Sequence, residues 1–264
     1  MTKDPLSKKL KRTLIKMAVL KNWHKVVLPE TQFSYAQEMY AKLRNGLVFH
    51  MKSSSFDLPI LYQIFWNNVY DLSIIKNIQK PKILDIGGHI GMFAGFAASR
   101  VKDATIYSYE PDPANTPLFK ENIKVNGLNE RVKLKEVAVC AERGERKLYI
   151  NPTNTSMNNM FQPKASRGMT ESITVPCITL QDILKEYNVN IFDYAKIDCE
   201  GAEYELLLNA SQDVLNALPR MIIEWHGNTE HTPEELVSFL KKSGYATTFS
   251  RKPRMISAIR RTES

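Results

Sequence analysis

The sequence predicts an α/β fold: a mostly parallel, Rossmann-like seven-stranded sheet with helices on both faces and an antiparallel C-terminal strand. From residue 82 onward, β-branched apolar runs alternate with amphipathic stretches, which is typical of parallel strands joined by helices. The stretch "DIGGHIG" at 85–91 has three glycines in five positions and predicts a sharp strand-to-helix turn beside a nucleotide. Two closing strands at 245–250 and 255–259 have no helix between them and predict a final hairpin.

The elements of this core follow in a regular order. Strands are predicted, from the apolar runs, at 82–86, 104–110, 132–139, 193–198 and 219–225. Helices are predicted, from amphipathic spacing and from glycine and proline stops, at 91–100, 114–126, 179–187, 202–210 and 233–242. A less regular, β-rich insertion occupies 150–178.

The segment before residue 80 is predicted to be an N-terminal extension or cap, mainly helical with a short β element. "PLSKKLKRTLIKMAVLKNW" has apolar residues at helical spacing opposite lysines and arginines. A second helix is predicted over 30–46, a strand over 47–51 and a third helix over 57–68. The predicted organisation is therefore an extension at 1–79 and a main domain at 80–264.

The chain has 264 residues and three cysteines, Cys140, Cys177 and Cys199. We expect reduced, buried thiols, because the count is odd and the spacing does not match metal ligands. No apolar stretch has the length of a membrane span, and the first residues lack the apolar core of a signal peptide. These observations predict a cytoplasmic protein.

The net charge of +8 is concentrated at the two ends of the chain. Residues 1–25 and 241–264 are strongly basic, whereas the body between them is net acidic. This distribution disfavours a nucleic-acid-binding face on the main domain. The basic helix could pack as a cap, lie on an anionic membrane surface or contact RNA.

The glycine-rich loop does not match the dinucleotide-binding pattern. Glycines would be required at 89 and 92 or at 90 and 93, where His89, Ile90, Met92 and Phe93 stand. The remaining pattern is an acidic residue followed by two glycines four positions apart. Gly87 would let the backbone approach a ligand, and Gly91 would begin a helix whose amides face the ligand's carboxylate. Asp85 would hold the loop amides or meet the ligand's ammonium group.

The next two strands supply candidates for the nucleoside. Glu110 ends the second strand about 20 residues after the loop, where a carboxylate can accept hydrogen bonds from both ribose hydroxyls. Glu136, Val137 and Ala138 end the third strand and could lie against an adenine ring. Val137 and Ala138 could equally be core residues.

Two later strands end in acidic residues and a histidine. Asp198 ends the fourth strand, with Glu200 in the following turn, and Glu224 and His226 lie at the end of the fifth. Adjacent parallel strands bring these tips to one edge of the sheet. For Glu203, at the start of the following helix, capping is the expected role.

The motifs "DIGGHIGMFA", "YEPDPANTPLFKENIKVNG", "KIDCEGAEYELL" and "PRMIIEWHG", in this order, resemble the FkbM family of S-adenosylmethionine-dependent methyltransferases. The resemblance covers about residues 80–245. It implies a class I methyltransferase fold, S-adenosylmethionine as cofactor and O-methylation of a hydroxyl. Together with the observations above, it gives this cofactor set: Asp85, Gly87, Gly88, His89, Gly91, Glu110, Pro111, Glu136, Val137, Ala138 and Asp198. The acceptor side would hold Glu200 and His226.

His226 is the predicted general base, because imidazole titrates near neutral pH. Asp198 or Glu224 would orient its second nitrogen, so the predicted catalytic set is His226, Asp198 and Glu224. A structural histidine is an alternative. Another is a divalent cation such as Mg²⁺, which would lower the pKa of the acceptor hydroxyl. Its ligands would be Asp198, Glu200, Glu224 and His226.

The acceptor is expected to be a hydroxylated small molecule, a secondary metabolite or a glycan, with the 150–178 insertion shaping its pocket. Two other functions stay open. An RNA methyltransferase would use the basic ends to contact phosphates. A non-catalytic, cofactor-binding scaffold would keep the fold without the chemistry. Peripheral membrane contact through the basic N-terminal helix is compatible with the main hypothesis.

Overall fold

The computed structural model describes residues 13–25, 38–52, 57–151, 158, 160, 171–227 and 230–261. The helices in chain order are α1 (13–19), α2 (Asp57–Phe65), α3 (Met92–Arg100), α4 (Thr116–Val125), α5 (Leu180–Glu186), α6 (Glu203–Leu208), α7 (Gln212–Asn216) and α8 (Pro233–Lys242). The strands are β1 (Glu38–Lys42), β2 (Val48–Lys52), β3 (Lys82–Ile86), β4 (Thr105–Tyr109), β5 (Val132–Lys135), β6 (Ala138–Val139), β7 (Gly144–Ile150), β8 (Glu171–Ile178), β9 (Tyr194–Ile197), β10 (Arg220–Glu224), β11 (Tyr245–Arg251) and β12 (Arg254–Arg260).

A seven-stranded sheet forms the centre, in the order β11-β12-β10-β9-β3-β4-β5. The five strands from β10 to β5 are parallel, and β12 runs antiparallel between β10 and β11. This arrangement confirms the predicted parallel sheet with its closing hairpin. Strand order reverses between β3 and β9, and at such a switch point the carboxyl ends of the strands leave a crevice for a ligand.

Two hydrophobic clusters cover the two faces of the sheet. Neighbouring β3 residues alternate between them, with Ile83 in the cluster under α2, α3 and α4 and Leu84 in the cluster under α5 to α8. Such alternation follows from the two-residue period of a strand. The predicted helices on both faces are therefore confirmed.

The N-terminal extension packs into the first of these clusters. Leu20 and Phe49 are fully buried there beside Phe96 of α3. Gly95 makes this contact fit, because a β-carbon at that position would lie 2.8 Å from the Phe49 ring. The extension and the main sheet thus share one hydrophobic core.

The helix predicted over 30–46 is wrong for its described part. Residues 38–42 form β1, which pairs antiparallel with β2 in the register Tyr40 to His50. An isolated bridge joins Leu43 to Leu20. Ala41 and Leu43 are buried whereas Tyr40 is half exposed, which is the alternation of a strand and not the period of a helix.

The basic helix is confirmed over 13–19, and its predicted part before residue 13 lies outside the described residues. Leu14 and Met17, predicted on the apolar face, are 56% and 38% exposed. Val19 and Leu20 at its end are buried in the shared core. No helix in the described part of the chain is long and apolar enough to cross a membrane.

The predicted strand 132–139 is divided between two sheets. β5 belongs to the central sheet, whereas β6 joins β8 and β7 in a three-stranded sheet. Cys140 and Cys177 form a disulfide in this second sheet, and Cys199 is free. The expectation of three reduced thiols is therefore wrong. Parallel pairing of Ala138 with Cys177 brings the two cysteines together. They are 37 residues apart in sequence, so their proximity could not be predicted from local pattern.

Candidate functional site

A cavity of about 330 Å³ opens at the carboxyl ends of β3, β4, β9 and β10, within the size range of small-ligand sites. Its wall joins two groups of the predicted residues. On one side lie Gly87, Gly88, His89, Glu110, Pro111 and Ala138. On the other lie Asp198, Glu200 and Glu224. The cavity therefore brings the predicted cofactor loop next to the predicted acceptor side.

The glycine loop turns directly after β3. The amides of Gly87 and Gly88 both donate to the carbonyl oxygen of Tyr109. Gly87 has φ 84°, and a β-carbon there would lie 1.8 Å from the Asp198 carbonyl oxygen. Gly91 precedes α3 in the left-handed conformation, with φ 82°. The close approach at Gly87 and the two positive φ angles explain why glycine stands at these positions.

Glu110 lies behind the loop, only 6% exposed. Its carboxylate accepts hydrogen bonds from the His89 amide at 2.7 Å, the Asp112 amide at 3.0 Å and the Asn115 side chain at 3.2 Å. Burial raises the pKa of Glu110 to about 7, against the lowering effect of these bonds. Two of these donors share Oε1 and only the His89 amide binds Oε2, so Oε2 keeps capacity for a further donor.

Asp85 lies beneath the loop and is fully buried. One oxygen accepts a hydrogen bond from the Ser108 hydroxyl at 2.8 Å, and the other lies 3.3 Å from the Lys196 ammonium. Burial raises the pKa of Asp85, and Lys196 opposes that rise. The amides of Gly87 and Gly88 donate to Tyr109 and not to Asp85, so Asp85 reaches the loop only through Lys196, which donates to the Gly87 carbonyl.

The predicted adenine-side residues have different positions. Ala138 lines the cavity, together with its neighbour Val139. Val137 packs against the core cluster of the second sheet face. Glu136 is half exposed, and its carboxylate binds the Lys120 ammonium and the Thr116 hydroxyl. The chain leaves the central sheet between β5 and β6, and this change of sheet directs Glu136 away from the cavity.

The acidic residues and the histidine form a second cluster. Nε2 of His226 lies 3.5 Å from a Glu200 oxygen and 3.9 Å from an Asp198 oxygen. The Tyr70 hydroxyl lies 3.3 Å from Asp198 and 3.2 Å from Glu224, so it connects these two carboxylates. Asp198, Glu200 and His226 offer ligand atoms that all lie within 4.8 Å of one another.

Glu203 orients His226, a role that the sequence assigned to Asp198 or Glu224. It is fully buried, and one oxygen faces both the backbone amide of His226 at 2.6 Å and Nδ1 at 3.3 Å. Its other oxygen accepts a bond from the Gly201 amide. As the first residue of α6 it occupies the expected capping position, but its main contacts are to the strand-tip histidine.

Burial and charge shift the pKa values of this cluster. Burial lowers the pKa of His226, but Glu203, Glu200 and Asp198 together raise it to about 10. Burial raises the pKa of Glu200 to about 8 and that of Glu224 to about 7, with Asp198 adding to both rises and His226 opposing them.

Sequence reasoning missed several parts of the cavity wall, of which three lie next to the acidic cluster or the glycine loop. Lys196 in β9 and Tyr70 before β3 both line it, as do Pro59, Ile60, Gln63 and Ile64 of α2. A lysine inside the apolar strand "DYAKID" was a usable signal, because buried lysines are rare unless they are paired. Tyr70 and α2 carried no such signal, since their position depends on packing distant in sequence.

A family model described as the methyltransferase FkbM domain matches residues 85–246, from the glycine loop to the start of β11. The chain belongs to the FkbM methyltransferase family. Its sheet order is that of the class I methyltransferase version of the Rossmann-like fold. The match includes the glycine loop, Glu110 and the whole acidic cluster, whereas α2 and Tyr70 precede it.

Relatives of this FkbM-family methyltransferase are distant in sequence. Methyltransferase sdnD of Sordaria araneosa is 22% identical over 226 residues, covering 75% of this chain and 86% of that protein. The 31-O-demethyl-FK506 methyltransferase FkbM of Streptomyces tacrolimicus is 23% identical over 240 residues, covering 80% and 90%. Among solved structures, an S-adenosylmethionine-dependent methyltransferase from Agrobacterium tumefaciens aligns with a TM-score of 0.49 and 9% identity, over 88% of this chain and 72% of that one.

Proposed function

We propose that this protein uses S-adenosylmethionine to methylate a hydroxyl group of a small-molecule acceptor. The observation that carries the proposal is that the glycine loop and Glu110 line the same cavity as Asp198 and Glu224. Family membership supports methyl transfer, and the cavity supports a donor and an acceptor held side by side. Orienting two reactants in this way supplies much of the rate of a displacement reaction.

The proposed cofactor site uses the loop half of the cavity. Glu110 would accept a hydrogen bond from a ribose hydroxyl at its Oε2 atom, and the loop at Gly87 and Gly88 would let the cofactor approach the backbone. Ala138 and Val139 would contact the adenine ring. When bound, S-adenosylmethionine supplies an electrophilic methyl group on a positively charged sulfur.

The acidic half would handle the acceptor proton. An acceptor hydroxyl that took the methyl group from the bound cofactor would have to release its proton to a nearby base. Glu224 lines the cavity and is hydrogen-bonded to Tyr70, so we propose its carboxylate as the proton acceptor. His226 lies behind Asp198 and Glu200 and would hold these carboxylates in place, in contrast to its predicted role as the base.

A divalent cation is the second candidate at this position. The compact group Asp198, Glu200 and His226 favours it, and an imidazole whose Nδ1 faces a carboxylate is a common arrangement around metals. The bound ion would lower the pKa of the acceptor hydroxyl.

The wall provided by α2 and α3 supports an acceptor with an apolar body. Pro59, Ile60 and Ile64 line it, together with Met92 and Phe93. The Streptomyces tacrolimicus relative is a 31-O-demethyl-FK506 methyltransferase, which supports a hydroxyl of a small molecule as the acceptor here. Glycans and RNA stay as alternatives, although the acidic cavity disfavours the negatively charged phosphate backbone of RNA.

Exposed Leu14 and Met17, with Lys21 and Lys25 exposed nearby, support contact between the basic helix and an anionic membrane surface. Co-sedimentation with anionic but not neutral vesicles is the expected result, and absence of binding to both would contradict it. The cytoplasmic location stays a prediction.

The test is transfer of a radiolabelled methyl group from S-adenosylmethionine to panels of apolar alcohols, glycans and RNA. We expect alcohols to be labelled, with at least a ~100-fold loss of rate in Glu224→Gln. Glu234→Gln, an exposed glutamate paired with Arg251, should keep the full rate. Labelling of RNA alone would contradict the acceptor class. Loss of activity with a chelator, restored by Mg²⁺, would favour the cation.

A further inference from the structure

Lys196 is a buried lysine at the boundary between the two halves of the cavity. It belongs to β9, directly opposite Asp85 of β3 in the strand register, and it is 3% exposed. Burying an ammonium group is unfavourable unless hydrogen bonds and opposite charges compensate it. The contacts of its Nζ atom therefore show what this lysine holds.

The ammonium contacts both halves of the site. It lies 3.3 Å from an Asp85 oxygen and 3.4 Å from an Asp198 oxygen. It also donates to the backbone carbonyl of Gly87 in the loop and lies 3.4 Å from that of Ile86. The ammonium thus forms ion pairs with Asp85 and Asp198 and donates hydrogen bonds to the carbonyls at the start of the loop.

Aromatic rings close the remaining side of this ammonium. The rings of Tyr70 and Phe93 each have their centre 5.9 Å from Nζ. Tyr70 in turn contacts Asp198 and Glu224 through its hydroxyl. Lys196 and Tyr70 therefore approach Asp198 together, and they restrict the directions in which its carboxylate can point.

The glycine loop and Asp198 are also in direct contact. The backbone of Gly87 lies so close to the Asp198 carbonyl that no side chain fits between them. A shift of the loop would therefore move Asp198, and the ammonium contacts both of them. A lysine that only neutralised the buried Asp85 carboxylate would not need its hydrogen bond to Gly87 or its ion pair with Asp198.

We propose that Lys196 is a positioning residue that couples the cofactor loop to the acceptor-side carboxylate, through its hydrogen bond to the Gly87 carbonyl and its ion pair with Asp198. This inference rests on the proposed function, because the cofactor is what the loop would hold. The proposed role is structural: Lys196 lines the cavity but takes no part in proton transfer. The competing explanation is that Lys196 only neutralises Asp85.

The experiment compares Lys196→Met with the charge-balanced double variant Asp85→Asn/Lys196→Met and with Asp85→Asn alone. Calorimetry gives the affinities for S-adenosylhomocysteine and S-adenosylmethionine, and thermal unfolding gives stability. Lys135→Met is the matched control, since Lys135 forms an ion pair with Glu186 outside the cavity wall. The two ligands differ in the positive charge on sulfur, which the ammonium would oppose.

If the proposal holds, Lys196→Met weakens S-adenosylhomocysteine binding about tenfold. The double variant regains thermal stability but still binds about tenfold more weakly than Asp85→Asn. In Lys196→Met and in the double variant, the loss of affinity is about threefold smaller for S-adenosylmethionine than for S-adenosylhomocysteine. The reason is that Asp198, no longer neutralised by Lys196, attracts the positively charged sulfur. Lys135→Met stays within about twofold of wild type.

Several results would overturn it. Affinity that returns together with stability in the double variant would leave Lys196 only the role of neutralising Asp85. Equal losses for both ligands would indicate a general structural effect. If Lys196→Met does not fold, the test is the affinity of the double variant for S-adenosylhomocysteine compared with that of Asp85→Asn. Equal affinities of these two proteins would refute the coupling. Wild-type protein that does not bind S-adenosylhomocysteine would instead refute the proposed cofactor site itself.

Discussion

Four carboxylates near the cavity differ in chemistry because their contacts differ. Glu110 is buried among backbone and amide donors, Asp85 faces an ammonium, and Glu203 holds the backbone and ring of His226. Glu136, half exposed, faces Lys120. Sequence reasoning placed Glu110 and Asp85 correctly at strand ends, since that position depends on local pattern, and their contacts to the cofactor stay a prediction. It predicted a ligand contact for Glu136 and a capping role for Glu203. It did not predict their contacts to Lys120 and His226, because these partners belong to other elements.

We expect the affinity for S-adenosylhomocysteine to rise with pH through about 7. Burial raises the pKa of Glu110 to about 7, and ribose hydroxyls donate to the ionised carboxylate, so protonation opposes binding. The association constant should fall up to about tenfold per pH unit below that value. Calorimetry between pH 5.5 and 8.5 measures this dependence. Glu110→Gln is the control, which should bind more weakly and lose this part of the dependence. A profile shared by both proteins would contradict the assignment to Glu110.

At the scale of elements, the regular strand–helix core could be predicted because its hydrophobic periods are local. β1 could not, because "EMYAKL" fits both periods and only its pairing with β2 selects the strand. The division of strand 132–139 between two sheets depends on β8, about 40 residues later along the chain. The disulfide escaped prediction for the same reason.

The turn between β3 and α3 is the element on which the cavity depends most directly. Gly87→Ala places a methyl group 1.8 Å from the Asp198 carbonyl oxygen, at a positive φ. We expect this variant to lose S-adenosylhomocysteine binding or to unfold. Gly127→Ala has a similar φ of 65° but no neighbour within 4 Å. It should cost only about 1 kcal/mol and keep the affinity. Equal effects of the two substitutions, measured by calorimetry and denaturation, would contradict the close contact.

At the scale of the whole molecule, the extension and the methyltransferase core share hydrophobic contacts. Fully buried Phe49 of β2 packs against α3 at Gly95, and α2 contributes part of the cavity wall. The sequence predicted a boundary near residue 79 from composition and periodicity, which report where patterns change and not which surfaces pack together. The extension is therefore structurally part of the site.

We expect one cooperative unfolding transition for the whole chain. Phe49→Ala removes a fully buried ring and should destabilise the protein by about 3–5 kcal/mol. A scanning calorimeter should show this single transition shifted to lower temperature. Two separate transitions, with only one shifted by the substitution, would show that the extension folds independently.

We propose above all that the cavity binds S-adenosylmethionine through Glu110, the carboxylate at the end of β4. The most direct measurement is calorimetric titration with S-adenosylhomocysteine of wild type, Glu110→Ala and Glu136→Ala. The structure predicts binding by wild type, a loss of about 1.5–3 kcal/mol or more than tenfold for Glu110→Ala, and a change within about twofold for Glu136→Ala. Absence of binding by the wild type, or equal losses in both variants, would contradict the account.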